Sequence, residues 1–242
     1  MHTFIALVAA LMPPILLFLY IWRMDPQKEP FKELIKAVLG GVAICVPVAF
    51  LELLIEHLLF GSGVEVLTVW HTTTQAFLVA AVPEEAAKLF VLWIVLRKNK
   101  YFDEHFDGIV YAVCVGLGFA AIENVFYVLG DEEWLRVAVM RALLSVPGHY
   151  AFAVIMGYCY AVYRFVKPSA WNALMIFVMP VMAHGIYDAL AMSGSANPTI
   201  GGTAFIVLIY FCVKMQKIAK NRIRRMIAKD QQRQESQNLG IE

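Results

Sequence analysis

The stretch TTTQAFLVAAVPEEAAKLFVLWIVL, residues 72–96, is long and apolar enough to cross a bilayer, yet Glu84, Glu85 and Lys88 stand near its middle. About twenty apolar residues span a hydrocarbon core about 30 Å thick. An ionised side chain at its centre costs about 2.5–3.5 kcal/mol even on the more forgiving insertion scale. Three such residues in one span therefore need partners at the same depth, and the rest of the chain has to supply them.

Of the 242 residues, 60% are hydrophobic, which points to a polytopic membrane protein and not a soluble domain. The apolar runs predict an all-α transmembrane helix bundle of seven spans, near 3–22, 34–60, 73–97, 107–129, 143–166, 171–192 and 199–218. Residues 1–220 read as one integral membrane domain with its working core at about 73–192, and 221–242 as a basic tail. Pro47 falls inside the long second span, and 134–142 reads as an interfacial approach to the fifth. The first span lacks a basic flank before it, and Arg23 and Lys28 follow it, so it reads as an uncleaved anchor.

Charge sets the orientation. Alternate loops carry Arg23, Lys28, Lys32 and Lys36, then Arg97, Lys98 and Lys100, then Arg164 and Lys167, and eight more cations follow from Lys214 to Arg233. Only Arg136 and Arg141 fall toward the other side, with Lys88 inside a span. The positive-inside rule then gives N-out, C-in in the cell membrane. The run KMQKIAKNRIRRMIAK, residues 214–229, reads as a juxtamembrane helix on anionic lipid and not as a nucleic-acid site. Cys45, Cys114, Cys159 and Cys212 lie in apolar spans without a CxxC pair, which suggests buried reduced thiols.

Deep polar residues recur on four successive spans: Glu84, Glu85 and Lys88, then Glu123 and Asn124, then His149, then His184 and Asp188. Packing alone does not justify so many, and one shared polar cavity does. Glu84 and Lys88 are one helical turn apart, as are His184 and Asp188, so each pair shares a face. A rise of 1.5 Å per residue puts Glu84 about 16 Å, Glu123 about 9 Å and His184 about 12 Å from the outer ends of their spans. The cavity should open outward or sideways into the outer leaflet. Pro83, Pro147 and Pro180 precede these residues and are expected to bend or break their spans.

Two acids with two histidines can activate water, one carboxylate as base and one carboxyl as acid, while a histidine supports a developing oxyanion. Ser145 lacks a GxSxG frame, and HExxH is absent, so neither a serine hydrolase nor an ordinary zincin is indicated. No cofactor is required, although Glu123, His149 and His184 could hold a divalent metal. Glu52, Glu56 and His57 read as interfacial at the outer end of the second span.

Four motifs in register, EEAAK at 84–88, FAAIEN at 119–124, HYAFAVIMG at 149–157 and HGIYD at 184–188, resemble those of the PrsW family of intramembrane proteases. That family belongs to the Abi/CAAX-protease superfamily, which also holds the CAAX prenyl endopeptidases and the non-proteolytic Aph-1 subunit of gamma-secretase. The resemblance covers about residues 80–190 and implies a CAAX-protease-like core. It implies that Glu84 and Glu85 form the acid pair, Glu84 being the base for the attacking water, with Lys88 setting their charge. Glu123 stands where CAAX-type relatives place a histidine, and it or His149 would assist. His184 would stabilise the oxyanion and Asp188 would orient it. The substrate implied is a single-pass membrane protein such as a membrane-anchored anti-sigma factor, cut near the extracytoplasmic face. Two other classes fit the same charges: a proton-coupled transporter and a non-catalytic Aph-1-like scaffold. A transporter would call for corresponding broken segments in two halves, and no such pair is legible.

Overall fold

The computed structural model describes residues 2–61 and 68–239, all of whose regular structure is helical. Seven helical runs follow one another: α1 (His2–Met24), α2 (Phe31–Phe60), α3 (69–96), α4 (His105–Leu129), α5 (Trp134–Val166), α6 (Ala170–Ala196) and α7 (Pro198–Asn238). Each expected span falls on one of them. All but α3 are long, apolar and poor enough in charge to cross a membrane by length and composition. The exception, α3, is the run that carries Glu84, Glu85 and Lys88.

The prolines do not break their helices. In α3 a π-helical stretch, Gln75–Ala81, leads into the α-helix Val82–Leu96 just before Pro83, and in α5 another, Arg141–Ser145, ends before Pro147. A π turn widens the helix locally, which absorbs the proline ring without parting the chain and is frequent at functional sites. Pro180 sits inside α6 with no such stretch, and Pro47 likewise inside α2. The segment expected to lie apart at the interface, 134–142, is the first part of the α5 run, which is helical throughout from Trp134.

The bundle is built around α4, which is buried along most of its length and packs against α1, α2 and α5. Small residues permit this. A Cβ placed on Gly157 of α5 would lie 2.3 Å from the carbonyl oxygen of Gly108 in α4, so the two backbones touch. Close approach through small residues is how helices associate in lipid, where burial of apolar surface gives no advantage over lipid itself. By contrast α1 and α2 present Phe4, Leu16, Phe50 and Leu53 to the surroundings, as lipid-facing helices should.

The C-terminal segment differs from the expectation of a separate tail. Helix α7 continues without interruption to Asn238, and Ala219, Ile223 and Met226 are buried against the bundle. One turn further, Asp230 accepts hydrogen bonds from the backbone N–H groups of His105 and Phe106, both at 2.8 Å, and contacts His105 Nδ1 at 2.5 Å. It thereby satisfies amides at the start of α4 that have no partner within their own helix. Nearby, the Tyr111 hydroxyl donates to Glu29 Oε2. Burial pushes the Glu29 carboxyl up to about 7.

Candidate active site

The two acids lie side by side in the turn after Pro83, and Lys88 follows one turn later. Its ammonium is 2.8 Å from Glu84 Oε2 and 2.8 Å from Glu85 Oε1, with all three side chains buried. It also lies 4.3 Å from the centre of the Phe119 ring, whose π face adds a further attraction. The aliphatic stem of Lys88 thus delivers one positive charge to a place where two carboxylates converge.

The other helices close on this point. His149 of α5 puts Nδ1 3.4 Å from the Lys88 ammonium and Nε2 2.7 Å from Glu123 Oε2. An ammonium can only donate, so Nδ1 is the acceptor and the proton sits on Nε2, facing Glu123. His184 of α6 directs Nδ1 to Glu85 Oε1 at 2.9 Å and Nε2 to Asp188 Oδ2 at 3.2 Å. Carboxylates on both ring nitrogens suit a ring that donates from both. The two imidazoles meet edge to face with centroids 5.3 Å apart, and Phe152 stacks on His184 at 5.0 Å.

Packing fixes the reach of His184. A Cβ on its neighbour Gly185 would fall 2.3 Å from the Phe77 ring in the π stretch of α3, so the absence of a side chain there lets α6 approach the acid pair. Among the expected residues, Glu84, Glu85, Lys88, Glu123, His149, His184 and Asp188 are joined in one network of contacts. Asn124 stands to one side: its amide donates to the Ala10 carbonyl of α1 at 2.7 Å and its oxygen receives Arg141 Nε at 2.5 Å.

Two residues were not anticipated. Arg141, which reads as a stray cation near the outer face, folds inward to bring Nη2 2.9 Å from Glu123 Oε2, with its guanidinium 4.2 Å over the Tyr127 ring. Its failure to fit the charge asymmetry of the loops was the signal available. Glu52 of α2 keeps Oε1 buried without a hydrogen-bond partner, close enough to Glu84, Glu123, Lys88 and His184 to feel their charges. By sequence it reads as interfacial, and the apolar residues on either side of it, Val48–Leu51 and Leu53–Ile55, give no hint of a polar neighbour.

The donor set also differs from the one expected for a metal. One ligand atom each from Glu84, Glu85, His149 and His184 lie within 4.8 Å of one another, whereas Glu123 turns to Arg141 and the far nitrogen of His149. Two carboxylates and two imidazoles in that compass fit a divalent ion such as zinc. The Lys88 ammonium is bonded to the same two carboxylates, so it and a metal are alternative sources of positive charge there.

The sequence matches the profile of the family described as "PrsW family intramembrane metalloprotease" over residues 29–215. Proteins named Protease PrsW align with most of the chain. That of Geobacillus kaustophilus (strain HTA426) is 33% identical over 218 residues, covering 89% of this chain and 92% of its own. That of Bacillus subtilis (strain 168) is 34% identical over 189 residues, covering 76% and 82%. That of Clostridioides difficile (strain 630) is 32% identical over 218 residues, covering 87% of each. No solved structure matches the chain. With its helices of membrane-crossing length and its buried acid–histidine network, this chain is a multi-pass membrane protein that belongs to the PrsW family of intramembrane proteases.

Proposed function

We propose that the protein is a glutamate-dependent intramembrane endopeptidase that cuts single-pass membrane proteins near the extracytoplasmic face, a membrane-anchored anti-sigma factor being the type of substrate the family resemblance implies. The observation that carries this reading is the Lys88 ammonium bridging Glu84 and Glu85 beside two histidines. It sets one positive charge between two carboxyl groups in a low-dielectric interior without consuming every lone pair. Glu85 is nearly sealed, with its side chain 1% exposed, while that of Glu84 is 7% exposed, the more open of the two.

In the reaction Glu84 takes a proton from water as the water attacks the scissile carbonyl. The proton then passes to the leaving amine, so the carboxylate acts as base and then as acid. His184 offers the proton on Nε2 to the developing oxyanion; its contact there with Asp188, at 3.2 Å, is the longer of its two and the easier to exchange. Glu85 holds the other nitrogen and so fixes the ring. Glu123, clamped by Arg141, orients His149, which in turn limits where Lys88 can sit. Four carboxylates (Glu84, Glu85, Glu123, Asp188) against Lys88, Arg141 and a doubly protonated His184 leave one formal negative charge, which a single transferable proton neutralises. A divalent metal held by Glu84, Glu85, His149 and His184 would polarise the carbonyl and acidify the water.

The depth of the group supports an outward cut. Glu84 lies twelve residues from the end of α3 next to Arg97 and Lys98, about 18 Å, and Glu123 lies about 27 Å from the start of α4 at the same basic end. With an N-out, C-in orientation, both fall toward the outer leaflet of a hydrocarbon core about 30 Å thick. That suits a bond just inside or beyond the outer face and disfavours processing of a cytosolic C-terminus.

The test is cleavage of single-pass substrates, anti-sigma factors included, by the purified protein in proteoliposomes. Native protein is compared with Glu84→Gln, Glu85→Gln and His184→Ala, with and without a chelator. Cleavage lost in the variants and kept under chelation is the expected result. Loss on chelation would transfer the role of Lys88 to a metal. Folded variants as active as the native protein would refute the reading.

A further inference from the structure

We propose that a cleft between α2 and α3, at the basic end of the bundle and apart from the acid–histidine network, binds the headgroup and upper acyl chain of one anionic phospholipid. Its volume is about 770 Å³, within the range of cavities that take small molecules. One wall comes from α2 and the other from α3 and the residues that follow it, 97–101.

The order of residues along the two walls carries the argument. On α2 the lining runs from Lys32 and Lys36 to Ala43 and Ile44. On the other wall it runs in the opposite direction, from Val91 and Ile94 to Lys98 and Lys100. The walls are antiparallel, so the lysines gather at one end and the apolar side chains at the other. From Lys32 to Ile44 the separation along the helix is about 18 Å. Four lysines against one glutamate, Glu33, give the charged end a net +3, and Glu33 is paired with Lys36 at 2.9 Å.

Each feature selects against another occupant. A free phosphate has no use for the apolar wall that Gly40, Ala43, Ile44, Val91, Ile94 and Val95 form beyond the lysines. A neutral phospholipid leaves the +3 uncompensated. Basic pockets between membrane helices suit anionic headgroups, and this one adds a groove for the chain beneath them. The site is separate from the basic stretch of α7, none of whose residues lines it.

The experiment is native mass spectrometry of the full chain released from mild detergent, titrated with phosphatidylglycerol, phosphatidylcholine or inorganic phosphate. Lys36→Gln/Lys98→Gln removes charge at exposed positions, Ala43→Trp fills the apolar end with the lysines intact, and Arg224→Gln/Arg225→Gln strips charge from α7. Phosphatidylglycerol retention is expected to fall at least about tenfold in each of the first two variants and to hold in the third, with millimolar phosphate failing to displace the lipid. The proposal is overturned if the α7 variant loses the lipid while the cleft variants keep it. It is also overturned if phosphatidylcholine is retained as well as phosphatidylglycerol, or if phosphate alone displaces the lipid.

Discussion

Two histidine–aspartate pairs in this molecule look alike on paper and do different work. At the basic end of the bundle, His105 meets Asp230; in the interior, His184 meets Asp188. Asp230 spends both oxygens on the first amides of α4 as well as on the imidazole, so both are turned to the protein itself. The interior pair sits beside Glu85, whose Oε2 is buried with no partner, and beside a lysine shared by two acids. A saturated pair caps a helix. An unsaturated one leaves lone pairs and protons that a substrate and a water can engage.

The sharpest way to test that contrast is to make the same change in both. His184→Gln should reduce the turnover of a single-pass substrate by about a thousandfold, within the range expected when an oxyanion donor is lost, while His105→Gln should change it less than threefold. Equal losses would erase the distinction. Next in size, Arg141→Gln should lower turnover by about ten- to a hundredfold by releasing Glu123 and with it His149, and Arg141→Lys should recover part of that, since charge is kept and the second nitrogen contact is not. A matching loss of substrate affinity with unchanged turnover would instead mean that Arg141 touches substrate.

Smaller effects belong to the capping pair. Asp230→Ala should leave turnover within a factor of two but destabilise the start of α4 by about 1–2 kcal/mol, read as faster hydrogen exchange at residues 105–108 and little change elsewhere. Smallest is Glu29, whose carboxyl is raised by burial from 4.5 to about 7. Its folded form holds a proton that the unfolded chain has released, so its contribution is whole below about pH 4.5 and is lost as pH rises through about 7. Glu29→Gln keeps an acceptor for Tyr111 and should flatten that slope, with a gain of at most about 1–3 kcal/mol at pH 8 by thermal melting.

How much of this the sequence disclosed depends on whether the period of a helix could reveal it. The pairs Glu84–Lys88 and His184–Asp188 are one turn apart and were legible as shared faces. That Glu85 reaches His184, or that His149 lies between Lys88 and Glu123, depends on how α3, α5 and α6 pack, which local spacing does not specify. The π stretches were hidden for a similar reason. Proline marks where a hydrogen bond is lost, not whether the helix breaks or widens to accommodate it. For α7 a signal was present and outweighed: Ile223, Met226 and Asp230 follow one another at three and four residues, an inward face, within a run whose cations suggested a lipid surface instead.

The charges of α3 also bear on how the protein comes to be made. Among the described helices it is the one whose charge count keeps it from qualifying as a span, and three ionised residues add several kilocalories per mole to its partition from the translocation channel into lipid. Lys88, one turn from Glu84, supplies compensation the nascent helix can use before any later span exists, whereas His149 and His184 emerge some sixty and a hundred residues later. The lysine is thus a passport for membrane entry as well as a member of the mature network. Replacing it with an apolar residue would leave two carboxylates to cross unescorted, and the missing protein would be noticed before the missing activity.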